Sequence, residues 1–258
     1  MARILSACGE EVVALATMRG GSARNAIPAQ CTAQVVILDQ PRFDEIFAKE
    51  VAGIHEEFRL IEPHLSITRQ PVKPEGGIIP VMADHVQRPF VLALQAVVNG
   101  VYRMSPVVPG LVEASSNLSL ISLGKGHAEW SGLQRSSVDS SKVDVARAFA
   151  APFRVMGAGG MNCPEVRLDA GYPGWSPSAE SPILEKMKAL YLELFGHEVK
   201  VSACHAGLEC GVIAIAYPDL DMISFGPNIH EAHSEKECCS IASVQKFWKL
   251  LTATLAVI

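Results

Sequence analysis

The chain has 258 residues, of which 49% are hydrophobic and 19% charged. This composition supports a sizeable core and excludes global disorder. The formal net charge of −5 argues against nucleic acid or an anionic membrane surface as a partner. No apolar stretch reaches the roughly 18 residues that a membrane span needs.

The first part of the chain predicts an α+β domain. Residues 1–8 carry no helix start signal, so we expect them to be the end of a helix that begins before residue 1. Further along, apolar periodicity predicts strands at 12–18, 31–38, 113–123 and 130–139 and helices at 41–60, 84–99 and 140–151. This order predicts an antiparallel sheet with helices on one face.

The second part alternates strands and helices. The predicted strands are 166–170, 199–203 and 222–225, and the predicted helices are 181–195, 206–217 and 240–257. Ser181, followed by Pro182, and Ser240 have the side chains preferred at a helix start. Alternation of this kind predicts a parallel or mixed sheet. A glycine-rich stretch at 155–165 suggests a hinge between domains at 1–160 and 161–258.

Residues 204–211 follow a predicted strand and open a predicted helix, which is where ligands bind in α/β sheets. His205 and Glu209 are four residues apart, so we expect them to face each other on one helical turn. The alternative is that His205 caps the helix and Glu209 is an ordinary surface charge.

Residues 230–239 are rich in metal-binding side chains, namely His230, Glu231, His233, Glu235, Glu237, Cys238 and Cys239. Imidazole and carboxylate groups suit zinc or manganese. HExxH and CxxC patterns are absent, so the segment predicts only part of a coordination shell. The chain has seven cysteines; an odd number without a CxxC pair favours reduced thiols in a cytoplasmic protein.

Several strings together resemble one enzyme family. They are Gly-Gly-Ser-Ala-Arg-Asn-Ala-Ile-Pro (20–28), Val-Glu-Ala-Ser-Ser-Asn-Leu (112–118), Gln-Arg-Ser-Ser-Val-Asp-Ser (134–140), Tyr-Pro-Gly-Trp-Ser-Pro (172–177), Ala-Gly-Leu-Glu-Cys-Gly (206–211), Leu-Asp-Met-Ile-Ser-Phe-Gly-Pro (220–227), His-Ser (233–234) and Ile-Ala-Ser-Val-Gln-Lys-Phe-Trp-Lys-Leu-Leu (241–251). In this order they are similar to the aminoacyl-histidine (Xaa-His, carnosine-cleaving) dipeptidases, which are dizinc peptidases. The resemblance covers essentially the whole chain.

The resemblance implies an α/β fold. An α+β lid, with an antiparallel sheet and helices, would occupy 1–160 and be incomplete at its N-terminus. Residues 161–258 would form the C-terminal portion of a mixed-sheet α/β zinc-peptidase catalytic domain. The complete enzyme would hold two divalent ions, zinc or else manganese or cobalt, with His233 as one ligand. The other ligands and the general-base glutamate would lie in an N-terminal half, leaving no catalytic residue in this chain.

The same resemblance implies substrate contacts. Arg135 would hold a substrate carboxylate, for which a guanidinium fork is suited. Asn25 and Asn117 would hydrogen-bond the substrate backbone, and His205 and Glu209 would line the pocket. The alternatives are a strand-edge surface charge for Arg135 and a turn residue for Asn117.

The function implied is metal-dependent hydrolysis of Xaa-His dipeptides, and we expect the chain by itself to be inactive. The expected partners are a small dipeptide substrate and a second copy bound through the lid as a homodimer, with neither nucleic acid nor membrane. Two alternatives stay open: a non-catalytic, lid-derived dimerisation or binding module, and a related amidohydrolase such as a deacylase.

Overall fold

The computed structural model describes residues 1–73, 77–106, 108–157, 164–169, 171–176, 180–203, 205, 208–232 and 235–258. Among these residues no helix is both long enough and apolar enough to cross a membrane. The α/β fold class predicted from the sequence is confirmed.

An antiparallel sheet dominates the first part of the chain. Its strands are β1 (Val13–Gly20), β2 (Cys31–Ile37), β3 (Gly100–Met104), β4 (Val112–Gly124) and β5 (His127–Ser136). The order is β2-β1-β4-β3, and β5 pairs with β4 as well. The antiparallel sheet is therefore confirmed, with one strand, β3, that the sequence pattern did not predict.

Four helices build one core with this sheet. They are α1 (Ala2–Cys8), α2 (Gln40–Phe58), α3 (Asp84–Ala96) and α4 (Asp139–Gly157). Each contributes to the same apolar cluster. At its centre the ring centroids of Trp130 and Phe153 lie 4.4 Å apart, and those of Trp130 and Phe90 lie 5.8 Å apart. Helix 1–8 and the three longer helices were all predicted, with ends shifted by a few residues.

Helix α3 completes the hydrogen bonding of β1. The pairing of β1 with β4 covers only Met18–Gly20, which leaves the earlier residues of that edge without a strand neighbour. The Gln87 side chain, 2% exposed, accepts a hydrogen bond from Leu15 N and donates one to Val13 O, both at 2.7 Å. The amide thus takes the place of a β-strand for these two backbone groups.

The segment 172–176 is fastened to the start of α4. Asp139 Oδ1 accepts hydrogen bonds from Gly174 N at 2.8 Å and from Lys142 Nζ at 2.7 Å. Lys142 also donates to Tyr172 O, and Ser176 Oγ donates to the Ser137 carbonyl at 3.0 Å. Position 174 requires glycine, because a Cβ there would lie 2.3 Å from Ser137 O.

The regular secondary structure described in the second part of the chain is mainly helical. Its helices are α5 (Pro182–Phe195), α6 (Glu209–Ala216) and α7 (Ile241–Leu255), and its strands β6 (Ile229–His230) and β7 (Cys238–Cys239) pair antiparallel. The predicted caps are confirmed: Ser181 accepts from Leu184 N and Ser240 from Ser243 N. Helices α5 and α7 pack together, with Lys246 Nζ 4.6 Å from the Tyr191 ring centroid.

The strands predicted in this part are not formed. Residues 166–169, 199–203 and 222–225 are irregular, so the described residues build no mixed sheet here. An apolar run gives a segment β propensity, but a strand also needs a neighbour for its backbone hydrogen bonds. The predicted domain boundary after residue 160 lies outside the described residues.

Candidate functional site

Strands β4 and β5 present a row of polar side chains on one face. Side chains alternate along a strand, and on β4 Ala114 and Ser116 are buried while Ser115 and Asn117 are half-buried. Ser115 pairs directly with Arg135 on β5, so their side chains lie on the same face. This face carries two of the predicted substrate-contact residues, Arg135 and Asn117.

His205 reaches this face from the second part of the chain. Its Nε2 lies 2.8 Å from Ser115 Oγ, a hydrogen bond between residues 90 positions apart. The pKa of His205 is lowered, first by burial and second by the positive charge of Arg135. The imidazole is therefore held neutral at neutral pH, beside a permanent cation.

Asn117 anchors the loop between β1 and β2. Its Nδ2 donates to Ala26 O at 2.7 Å and to Ser119 Oγ at 3.0 Å. The loop is therefore tied down over β4. Asn117 lies within β4, so its alternative interpretation as a turn residue is wrong. Asn25 is exposed in the same loop, one residue before Ala26.

Glu209 does not share a helical turn with His205. Helix α6 begins at Glu209, with Leu208 as its N-cap and no capping side-chain bond. The predicted one-turn arrangement and the alternative cap by His205 are therefore both wrong, because the helix starts three residues later than predicted. The other part of that alternative, Glu209 as a surface charge, agrees with its exposure. Glu209 is exposed in the first turn, where its carboxylate suits the helix dipole.

The predicted metal ligand His233 lies outside the described residues. Within the part of the chain that the structure describes, no three His, Cys, Asp or Glu side chains are grouped to hold a metal ion. The β6–β7 pair places His230 opposite Cys238, both exposed. These side chains do not build a metal centre among themselves.

Ser115 is the residue that the sequence interpretation missed. A usable signal was present: Ser115 stands two positions before Asn117 in a predicted strand, which places both on one face. Its partner could not be predicted, because the contact with His205 joins segments that are distant in sequence.

Comparisons with known proteins find relatives of this chain over its whole length. The chain is 31% identical over 265 residues to the cytosol non-specific dipeptidase of Escherichia coli K12, covering 99% of this chain and 51% of that protein. It matches the crystal structure of an aminoacylhistidine dipeptidase from Vibrio alginolyticus with a TM-score of 0.85 and 33% identity, covering 100% of this chain and 51% of that one. The chain thus spans about half the length of these relatives. The resemblance found in the sequence is confirmed, and because the pattern of peptidase family M20/M25/M40 matches residues 3–256, the chain belongs to that family.

Proposed function

We propose that this chain supplies the lid and the C-terminal part of the catalytic domain of a metal-dependent dipeptidase that hydrolyses Xaa-His dipeptides. The observation that carries the proposal is the match to the cytosol non-specific dipeptidase, which runs over 99% of the chain at 31% identity. The structural likeness to an aminoacylhistidine dipeptidase supports the choice of dipeptide.

The polar face of β4 and β5 is the proposed substrate-binding surface. Arg135 is the fixed positive charge on that face and suits the terminal carboxylate of a dipeptide. The loop held by Asn117, including Asn25, borders the same strand. His205 completes the surface from the second part of the chain. Glu209 lies four residues further along and is exposed, and its carboxylate would suit a substrate amine.

The metal dependence is proposed from the family. Two divalent ions, zinc or else manganese or cobalt, would serve the complete enzyme, with His233 as one ligand. Because the chain spans about half the length of its relatives, the chain by itself is expected to be inactive. A homodimer through the lid, residues 1–160, and a cytoplasmic location are part of the same proposal; the printed name of the cytosol relative supports the latter.

The test has two arms. The 258-residue chain, supplied with zinc, manganese or cobalt, is assayed on Ala-His and on β-alanyl-histidine, and no turnover is expected. A chimera in which the chain replaces the matching half of the Escherichia coli dipeptidase is expected to hydrolyse both. His233→Ala should abolish that activity and lower the metal content, whereas His230→Ala serves as its control.

Three outcomes would contradict the proposal. Robust turnover by the isolated chain would show that it holds a complete site. A folded, metal-loaded chimera that leaves dipeptides intact would favour the non-catalytic binding module. Preference for N-acetyl-histidine over Ala-His would favour the deacylase.

A further inference from the structure

We propose that Ser115 is a positioning residue. Its hydroxyl donates a hydrogen bond to His205 Nε2 and fixes the imidazole beside Arg135, so that His205 Nδ1–H and the Arg135 guanidinium together bind one carboxylate. The inference rests on the proposed function to the extent that this carboxylate is taken to be the C-terminus of a dipeptide.

The geometry brings three groups together from three segments. Ser115 lies on β4, and Arg135 is its direct partner on β5. His205 lies before α6 and meets Ser115 at 2.8 Å. All three residues are half-buried, so each keeps part of its surface accessible to a ligand. Hydrogen bonds and charges at such a partly desolvated position are stronger than at an open surface.

The hydroxyl decides which imidazole nitrogen is left for a ligand. A neutral imidazole has one N–H donor and one acceptor nitrogen, and the bond made by one nitrogen sets the state of the other. When Ser115 donates to Nε2, the proton of His205 sits on Nδ1. That N–H then accompanies the five N–H donors of Arg135, and a carboxylate is the ligand that accepts from both.

The charges around His205 favour the neutral form. Arg135 faces it from the sheet, and burial adds to the same effect, so the pKa of the imidazole is lowered. On its own segment, Glu209 is four residues further along and exposed in the first turn of α6. Arg135 therefore supplies a fixed positive charge beside His205, which suits a carboxylate ligand.

The first test reads the tautomer of His205 directly. Long-range proton–nitrogen spectra of the 258-residue chain distinguish Nδ1–H from Nε2–H imidazole, and His205→Gln assigns the signals. We expect Nδ1–H in the wild type, a shift towards Nε2–H in Ser115→Ala, and retention of Nδ1–H in Ser115→Thr. Ser122→Ala, an exposed serine on the same strand, is the matched control and should change nothing.

The second test measures carboxylate binding in the same chain without metal. Ala-His is titrated while the His205 signals are followed, and its C-terminal amide is titrated in parallel. We expect the amide to bind at least about tenfold more weakly than Ala-His. We expect Ser115→Ala to weaken Ala-His binding about two- to tenfold, the range that a net hydrogen bond spans. Ser115→Thr should restore the affinity, which a merely structural role would not require.

The outcomes separate this inference from the proposed function. Nε2–H in the wild type, an unchanged tautomer in Ser115→Ala, or equal binding of acid and amide would each overturn the role of Ser115. A chimera that hydrolyses dipeptides despite any of these results would leave the proposed function intact. Selective carboxylate binding by this chain together with an inactive chimera would refute the dipeptidase and support the carboxylate site.

Discussion

Gln87 joins helix α3 to the edge of β1, and its replacement by leucine should strongly destabilise the fold. The side chain is 2% exposed and makes hydrogen bonds of 2.7 Å to Leu15 N and Val13 O. Leucine removes both partners and leaves one buried N–H and one buried C=O on β1 unsatisfied. At about 1–3 kcal/mol for each unsatisfied group, the free energy of unfolding falls by about 2–6 kcal/mol. The additional apolar surface that leucine buries offsets about 1 kcal/mol of this loss.

The expected destabilisation is therefore about 1–5 kcal/mol, a large part of the roughly 5–15 kcal/mol available to a typical domain. Urea denaturation followed by circular dichroism measures it as a lower transition midpoint. The matched control is Gln95→Leu, the same chemical change at an exposed position of α3, which should alter stability by less than about 0.5 kcal/mol. If the two variants unfold at the same midpoint, the hydrogen-bonding role of Gln87 is refuted.

Two further predictions concern the segment fastened to α4. Gly174→Ala should lower the melting temperature, since its Cβ would lie 2.3 Å from Ser137 O. The control is Gly171→Ala, whose added Cβ would have no atom within 4 Å, so this variant should melt like the wild type. Equal melting temperatures for the two variants would contradict the close approach at position 174. The pKa of Asp139 is held below its ordinary value first by Lys142 and then by Gly174 N–H. Because the folded pKa lies below the unfolded one, Asp139 stabilises the fold above its ordinary pKa, and this contribution is lost as the pH falls through the folded value. Asp139→Asn should therefore reduce the difference in unfolding midpoint between about pH 6 and about pH 3, and an unchanged difference would contradict the assignment.

Helix starts were predictable because their signals are local. Ser181 and Ser240 each accept a hydrogen bond from a backbone N–H three residues later, so a few consecutive residues contain the whole determinant. The start of α6 was placed too early, since the preceding stretch has the same apolar character without such a cap.

Strands were less predictable because their partners are remote. All five residues of strand β3, Gly100–Met104, are exposed, and the strand exists through its pairing with β4. Conversely, the apolar stretches 199–203 and 222–225 have no pairing neighbour among the described residues and are not strands. The same limit applies to the candidate site, where Arg135 and His205 were predicted separately but Ser115, which connects them, was not.

The turn between β4 and β5 has a consequence for the order of folding. Gly124 pairs with His127, so Lys125 and Gly126 form a two-residue loop, and both have positive φ, 54° and 76°. This is the tight hairpin turn whose twist matches that of its strands. A hairpin closed over so few residues forms within microseconds. The pairing of β1 with β4 must instead close a loop of about a hundred residues, and loop closure of this kind slows folding. We expect the β4–β5 hairpin to form first and to serve as the template onto which β1 later docks.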